Sequence, residues 1–216
     1  MINFDELINS YLSRDFRPKE VGRYYPSEIG NCLRKVWYSY KYPKDVEPKL
    51  LKIFEVGNIL HNFVVDVLES EKNPDVKLIE SELPVKIKEK NFIISGRIDD
   101  VIVVESLEKK FLVEVKSCKF LPMEGPQDHH VMQLNLYMHA SGIHDGILLY
   151  IQKDDLESRV FNIEYDEALA EKTLKRFEDL HRYLTNDEIP PPEAKMNPDM
   201  SWMCKFCDYK DRCEKE

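Results

Sequence analysis

Residues 96–116 read GRIDDVIVVESLEKKFLVEVK. Two apolar runs flank a short polar turn around Ser106-Leu107-Glu108, and this pattern predicts two antiparallel strands. Side chains alternate along a strand, so Glu114 and Lys116 should share one face. A hairpin that is symmetric about Leu107 and Glu108 pairs residue 99 with residue 116 and places Asp99 diagonal to Glu114, at about 7–8 Å. A slip of one residue would separate the two carboxylates.

Two carboxylates beside a lysine are the groups that phosphodiester hydrolysis with a divalent cation requires. Carboxylate oxygens hold the ion, which polarises the phosphate and acidifies a bound water, while an ammonium supports the attacking species. The ordinary alternative is a surface ion pair on an edge strand, because Glu-x-Lys triplets are abundant. Asp99, Glu114 and Lys116 are therefore candidate catalytic residues.

The periodicity around this hairpin predicts an α/β fold. Apolar residues recur three and four positions apart between Leu50 and Ser70, which indicates a helix that buries one stripe and carries His61. Strands are expected at Val76 to Ile87, Phe92 to Val104, Lys110 to Lys119, Gly146 to Gln152 and Val160 to Ile163, and helices at Gln127 to Ser141 and Asp166 to Thr185. This order suits a mixed sheet flanked by helices.

Composition places the chain among globular proteins. It has 216 residues, of which 43% are hydrophobic and 33% charged. No apolar run approaches the roughly 20 residues that a membrane helix needs. The amino terminus lacks the basic and then apolar order of an export signal, so we expect a soluble cytoplasmic protein without membrane contact.

Charge is unevenly distributed along the chain. The net charge of -9 argues against a polyanionic partner, yet residues 17–54 carry a net charge of +5. Cations interleaved with flat rings suit single-stranded nucleic acid, through phosphate neutralisation and base stacking. The alternative is a basic surface over core aromatics. The candidates for DNA contact are Tyr24, Tyr25, Arg34, Lys35 and Trp37.

Three prolines separate a cysteine-rich tail from the rest of the chain. Ile189-Pro190-Pro191-Pro192 cannot continue the preceding helix, so we expect one domain over residues 1–189 and a tail, residues 190–216, that docks back on it. The tail carries Cys204, Cys207 and Cys213. Three close thiols in a cytoplasmic protein fit a metal site better than a disulfide.

The fourth ligand of such a site is not in the tail. Cys32 and Cys118 are the candidates; Cys118 follows Lys116 by two, so a regular strand would point it toward the hypothesised catalytic face. Four thiolates would suit zinc or an iron-sulfur cluster, and their spacing does not choose between them.

Several motifs together resemble the restriction-endonuclease-like PD-(D/E)XK nuclease superfamily. Gly96-x-x-Asp99 followed by Glu114-x-Lys116 resembles its catalytic motif, and Gln133-Leu134-Asn135-Leu136-Tyr137 resembles the Gln-x-x-x-Tyr motif of its RecB-like branch. Gln133 and Tyr137 are one helical turn apart and so face the same place. The resemblance implies a restriction-endonuclease-like core in which residues 1–189 form the nuclease domain. It implies that Mn²⁺ or Mg²⁺ is held by His61, Asp99, Glu114 and the Val115 carbonyl.

The cysteine pattern extends the resemblance to nearly the whole chain. Tyr25, Ser27, Ile29, Cys32 and Arg34, with the cysteines of the tail, are similar to the iron-sulfur nucleases and among them to the CRISPR-associated RecB-like exonuclease family. The resemblance implies a 4Fe-4S cluster held by Cys32, Cys204, Cys207 and Cys213, which joins an amino-terminal helical segment to the tail. It gives Asp100 and Cys118 no role.

The family resemblance also implies a biological activity. It implies a DNA exonuclease, often 5′ to 3′ on single strands, that trims ends for CRISPR spacer acquisition together with the spacer-integration complex; an oligomer is possible. One alternative is a RecB-like nuclease of general recombination or repair, which would need a helicase partner because the chain lacks a nucleotide-binding Gly-x-x-x-x-Gly-Lys-Ser/Thr loop. The other is a non-catalytic iron-sulfur module that binds nucleic acid.

Overall fold

The computed structural model describes residues 2–216 as a mixed sheet with helices on both faces. The helices are α1 (Phe4–Leu12), α2 (Leu33–Lys41), α3 (Pro48–Leu68), α4 (Asp128–Ser141), α5 (Glu167–Thr185), α6 (Glu193–Met196) and α7 (Lys210–Lys215). The strands are β1 (Arg23–Tyr24), β2 (Val76–Lys88), β3 (Ile93–Val104), β4 (Lys109–Cys118), β5 (Asp145–Gln152) and β6 (Ser158–Glu164). No helix of this part of the chain has both the length and the apolar character to cross a membrane.

The sheet confirms the predicted mixed α/β architecture. Its strands lie in the order β1-β3-β4-β5-β6, and β2 pairs with the second edge of β3. β2, β3 and β4 form the expected antiparallel meander, while β4 and β5 run parallel. Parallel neighbours need a crossover, and α4 provides it.

The predicted hairpin register is wrong by two residues. The structure pairs Val104 with Lys109 and Asp100 with Val113, rather than residue 99 with residue 116. The turn is a 3₁₀ segment, Glu105–Leu107, closed by Glu108 in the left-handed conformation (φ 51°), so β4 begins earlier than a turn centred on Leu107 and Glu108 allows. A shift of two keeps every side chain on its expected face, since the period of a strand is two.

A gap in the hydrogen-bond ladder lies on one edge of β3. The pairing of β3 with β4 ends at Asp100, and β1 pairs with β3 only at Ile93 and Ile94. Because β2 occupies the opposite edge throughout, β1 and β4 must share this edge and leave residues 95–99 between them. Gly96 and Asp99 lie in this gap. The fold therefore opens its sheet where the predicted catalytic motif begins.

Two helices cover the sheet beside this gap. Leu134 and Met138 of α4 pack with Leu112 and Leu148 on one face. On the other face, Leu60 and Val64 of α3 form a second buried cluster with residues including Val115 and Ile151. Burial of these apolar stripes fixes both helices against the central strands, at roughly 25 cal/mol for each Å² of apolar surface removed from water.

The tail docks back on the body through polar contacts. The Glu193 carboxylate accepts from the backbone N–H of Leu33 at 2.9 Å and forms an ion pair with Arg176 at 2.9 Å. The Tyr209 hydroxyl donates to the carbonyl of Tyr42 at 3.0 Å. These contacts attach the tail to α2 and α5, whereas the division of the chain at residue 189 stays a prediction.

Candidate active site

Glu114 lies at the centre of a buried polar cluster. Its Oε1 accepts from Lys116 Nζ at 2.6 Å and from Gln133 Nε2 at 2.7 Å. Gln133 Oε1 in turn accepts from Lys116 Nζ at 3.1 Å. Strand alternation turns Glu114 and Lys116 toward α4, and the helix brings Gln133 over them. The three side chains therefore hold one another in a closed hydrogen-bonded triangle.

Burial controls the electrostatics of this cluster. Glu114 is only 2% exposed, and this burial raises its pKa to about 7, against the opposing influence of Lys116. Burial also acts to lower the pKa of Lys116, but the Glu114 carboxylate outweighs it and the net shift is upward. The lysine therefore stays charged over the whole physiological range, while burial favours the neutral form of Glu114 and Lys116 favours its carboxylate.

Asp99 continues the ladder where the strands separate. Its Oδ2 accepts from the backbone N–H of Val115 at 2.8 Å, in place of a backbone carbonyl. Burial raises the pKa of Asp99, and the Lys116 charge opposes that shift. The Asp99 charge also acts on Glu114, as a minor cause of its raised pKa. The two carboxylates are thus neighbours, and the corrected register aligns residue 99 with residue 114.

The structure gives Asp100 a partner that sequence reasoning missed. His61 Nε2 lies 3.2 Å from Asp100 Oδ2, and Asp100 is fully buried. This hydrogen bond raises the pKa of His61 despite the opposing effect of burial. The available signal was a second acid directly after Asp99, on a strand that the apolar pattern predicts to be buried. His61 interacts directly with Asp100 rather than Asp99, although its charge also reaches Asp99 and Glu114.

Two buried carboxylate oxygens have no hydrogen-bond partner. These atoms are Glu114 Oε2 and Asp100 Oδ1, and a buried acceptor without a partner carries a desolvation penalty of about 1–3 kcal/mol. Oxygen ligands of this kind match the preference of Mg²⁺ and Mn²⁺, so the residues fit a divalent cation. Within residues 2–216, no three His, Cys, Asp or Glu side chains already converge as ligands.

Tyr137 explains the glycine of the Gly-x-x-Asp motif. A Cβ at Gly96 would lie 2.9 Å from the Tyr137 hydroxyl and 3.0 Å from Cδ of Pro26. Gln133 Nε2 donates to the same hydroxyl at 3.4 Å, so the glutamine and the tyrosine do face one place. Burial raises the pKa of Tyr137, which keeps the phenol protonated. The two sequence motifs are therefore in direct contact.

Four of the five cysteines line one cavity. Cys32, Cys204, Cys207 and Cys213 surround a space of about 220 Å³, and all five thiols are free. Cys118 lies elsewhere, where its Sγ approaches the carbonyl of Ile151 at 3.5 Å. The four residues thus border one shared space. Their assignment as iron-sulfur ligands stays a prediction.

The prediction that Tyr24 and Trp37 stack on DNA bases is wrong. Tyr24 is 0% and Trp37 3% exposed, and both belong to an aromatic core shared by α2 and α5. Large rings stabilise a fold most when buried, and each of these finds a polar partner there. Trp37 Nε1, for example, donates to the carbonyl of Tyr183 at 3.1 Å. Tyr24 and Trp37 are therefore core aromatics, which was the alternative to a DNA-binding face.

The other candidates for DNA contact have mixed positions. Arg34 Nε donates to the carbonyl of Pro190 at 2.6 Å, and its Nη1 lies 3.8 Å from Cys213 Sγ. Its guanidinium is therefore committed to the tail. Tyr25 and Lys35 are partly exposed and stay candidates.

The comparisons with known proteins agree with this geometry. The model of the PD-(D/E)XK nuclease superfamily matches residues 12–214, and the chain belongs to this superfamily of enzymes that hydrolyse DNA with divalent metal ions. The chain is 30% identical over 205 residues to the CRISPR-associated exonuclease Cas4 of Saccharolobus solfataricus, across 90% of this chain and 89% of the relative. Its family within the superfamily is therefore that of the CRISPR-associated exonucleases.

A solved structure supports the same fold. The chain resembles the crystal structure of SSO0001 with a TM-score of 0.61 and 25% sequence identity. The match covers 94% of this chain and 90% of that one.

Proposed function

We propose that the chain is a DNA exonuclease that processes DNA ends for CRISPR spacer acquisition, with Asp99, Glu114 and Lys116 as its catalytic centre. The buried Glu114 carboxylate carries the proposal, because it has one oxygen held by Lys116 and Gln133 and the other without a partner. An apolar substitute would pack there without this cost. A cation-dependent reaction accounts for an acid in such a position.

Four groups would hold the cation. They are the His61 imidazole, the Asp99 and Glu114 carboxylates and the Val115 carbonyl. A bound Mn²⁺ or Mg²⁺ would polarise the scissile phosphate and acidify a water molecule. An imidazole among the ligands favours manganese over magnesium. Asp100 holds His61 by a hydrogen bond, as carboxylates commonly hold metal-binding histidines.

Lys116 would orient the attacking water, and Gln133 and Tyr137 of α4 would hold the charged groups in place. The Lys116 ammonium is fixed by Glu114 and Gln133, so it can orient the attacking water without first losing side-chain freedom. Gln133 forms hydrogen bonds with both Glu114 and Lys116. Its Nε2 also donates to the hydroxyl of Tyr137, one helical turn further on. The donors are thus arranged before the substrate arrives, which lowers the reorganisation cost of the reaction.

The cysteine cavity would hold a 4Fe-4S cluster. Cys32 at the start of α2 and three cysteines of the tail line it together, with Arg34, Lys35 and Lys210 among the other lining residues. Cations favour the thiolate form of the ligands and the negative charge of a thiolate-ligated cluster. Such a cluster would attach the tail to α2 and keep both beside the nuclease core.

The proposed substrate and partner go beyond the geometry of the site. A CRISPR-associated exonuclease matches almost the whole chain, which supports DNA exonuclease activity. The proposal extends this activity to trimming of single-stranded ends, with 5′ to 3′ polarity, in association with the spacer-integration complex. Oligomerisation is compatible with this proposal.

Digestion of end-labelled DNA tests the proposal. Wild-type protein should shorten single strands with Mn²⁺ or Mg²⁺, and Glu114→Ala should reduce the rate by at least about a hundredfold. Glu164→Ala, an exposed acid at the end of β6, is the matched control and should retain activity. Full activity in Glu114→Ala would overturn the assignment, and DNA binding without cleavage by wild type would favour a non-catalytic module.

A further inference from the structure

An exposed tryptophan of the tail lies beside the amino-terminal end of α4. Trp202 is 45% exposed and belongs to the 3₁₀ segment Pro198–Phe206, which also carries Cys204. Its ring centroid lies 6.0 Å from that of His129, with 40° between the ring planes. The indole thus contacts an imidazole, and nearly half of the residue is open to solvent.

His129 connects this tryptophan to the candidate active site. His129, Gln133 and Tyr137 follow one another at intervals of four, so they form one row on α4. Four residues, about 6 Å along the helix axis, separate His129 from Gln133, which contacts Glu114 and Lys116 directly. Burial and then the Lys116 charge lower the pKa of His129, which places the ammonium near this imidazole. Trp202 therefore continues the row outward from the site.

The position of this row is closely fixed. An added Cβ at Gly30 would lie only 2.2 Å from the His129 Cβ, so the segment before α2 packs tightly on this histidine. His130 lies beside it, with ring centroids 4.1 Å apart and 52° between the ring planes, and shares a 2.8 Å hydrogen bond with the Tyr150 hydroxyl. Trp202 is consequently next to an imidazole that is closely packed on its other sides.

We propose that Trp202, supported by His129, is the stacking platform for one base of single-stranded DNA close to the scissile phosphate. This inference rests on the proposed function and adds a binding contact to it. Base stacking on aromatic side chains contributes about 1–3 kcal/mol for each base and does not depend on sequence. Tyr24 and Trp37 are buried and cannot do this, so the open ring beside the site takes the role that they were expected to play.

The proposal also connects the tail to substrate binding. Trp202 precedes Cys204 by two residues, and Cys204 lines the cysteine cavity. A group that binds the cavity cysteines would therefore also position Trp202 beside α4.

Tryptophan fluorescence tests the contact directly. The chain has two tryptophans and Trp37 is buried, so quenching by a bound base reports Trp202. Titration of the wild-type protein with an oligothymidine, without added divalent metal, should quench the emission to saturation. Moving one abasic nucleoside along the oligonucleotide should remove the quenching at a single position. Absence of quenching, or quenching that is insensitive to every abasic position, would overturn the proposal.

Kinetics separate this inference from the proposed function. Trp202→Ala should raise KM for single-stranded DNA about tenfold with little change in kcat, and Trp202→Phe should recover most of the loss. Phe206→Ala, a 74% exposed ring of the same 3₁₀ segment, is the control and should leave KM unchanged. An unchanged KM in Trp202→Ala, with Glu114→Ala inactive, would overturn the platform alone. Inactive wild-type protein would instead overturn the proposed function.

Discussion

At the residue scale, the site depends on hydrogen bonds between charged side chains and a few neutral ones. Glu114 is shared by Lys116 and Gln133, and Asp99 accepts from the Val115 amide. Each bond fixes a group that would otherwise be mobile or uncompensated in a buried environment. By the same reasoning, Asp100 would orient the His61 imidazole, because its carboxylate is the hydrogen-bond partner of His61.

Asp100→Asn should weaken activity without abolishing it. The amide can still accept from His61 but carries no charge, so it holds and polarises the imidazole less well. Loss of such a partner commonly costs about 10–100-fold in metal affinity or activity. The measurement is the Mn²⁺ concentration that gives half-maximal cleavage, which should rise in this variant.

Asp128→Asn, an exposed acid at the start of α4, is the comparison for Asp100→Asn. It should leave the metal dependence as in wild type. An unchanged metal dependence in Asp100→Asn would show that His61 needs no support from Asp100.

The sequence predicts some of these residues and misses others for identifiable reasons. Asp99, Glu114 and Lys116 stand out because charged side chains interrupt apolar strands. Asp100 interrupts the same strand, but its partner is a histidine 39 residues away and only the fold brings the two together. Tyr24 and Trp37 were misplaced because interleaved rings and cations describe a core beneath a basic surface as well as they describe a binding face.

At the element scale, the sequence predicts which face of a strand each side chain occupies better than it predicts how β3 and β4 pair. The two-residue period fixed which side chains of β3 and β4 share a face, and the structure agrees. The register depends on the turn, and a polar stretch such as Ser106-Leu107-Glu108 does not specify that Glu108 adopts a left-handed conformation. The ladder gap beside Gly96 is likewise invisible in sequence, because it arises where β1 and β4 share one edge of β3.

The amino-terminal turn of α4 should make stability depend on pH. Burial, followed by the charges of Lys116 and His129, lowers the pKa of His130 to about 2. Below the unfolded value of about 6.5, the unfolded chain binds a proton that the folded chain excludes. The free energy of unfolding should therefore fall as pH drops below that value, by at most about 1.4 kcal/mol per pH unit for this group.

Urea unfolding of His130→Gln at several pH values between 7 and 5 measures this contribution. The variant should lose part of the wild-type slope of stability against pH. His139→Gln, at an exposed position of the same helix, should keep the wild-type slope. Equal slopes in wild type and His130→Gln would show that His130 is accessible to protons in the folded protein.

At the scale of the whole molecule, the tail brings residues that are far apart in sequence to one cavity. Cys32 and Cys204 are separated by more than 170 residues, and both line the cavity of about 220 Å³. A covalent link across a loop of this length would restrict the unfolded chain by about 5 kcal/mol in the chain-entropy description. The cysteine pattern predicts this grouping because three thiols lie close in sequence, while the contribution of Cys32 is visible only through resemblance or the fold.

Cys204→Ala should lower stability and DNA affinity before it affects the chemical step. The variant removes one of the four cavity thiols and should loosen the segment that carries Trp202. We expect a melting temperature lower by ~5 °C or more and a raised KM, with cleavage at saturating DNA largely retained. Scanning calorimetry and steady-state kinetics measure the two effects.

Cys118→Ala is the matched control for Cys204→Ala, because Cys118 lies outside the cavity. It should preserve both the melting temperature and KM apart from a small packing loss. A melting temperature and a KM in Cys204→Ala equal to those of wild type would contradict a structural role for the cavity.

Manganese binding, followed by electron paramagnetic resonance of the free ion, tests the central claim most directly. Wild-type protein should bind Mn²⁺, and Asp99→Asn and Glu114→Gln should each weaken that binding by at least about tenfold, because each removes the charge of a proposed ligand. Glu188→Gln, an exposed acid after α5, should bind as wild type does. Equal Mn²⁺ affinity in all four proteins would contradict a cation site at Asp99 and Glu114.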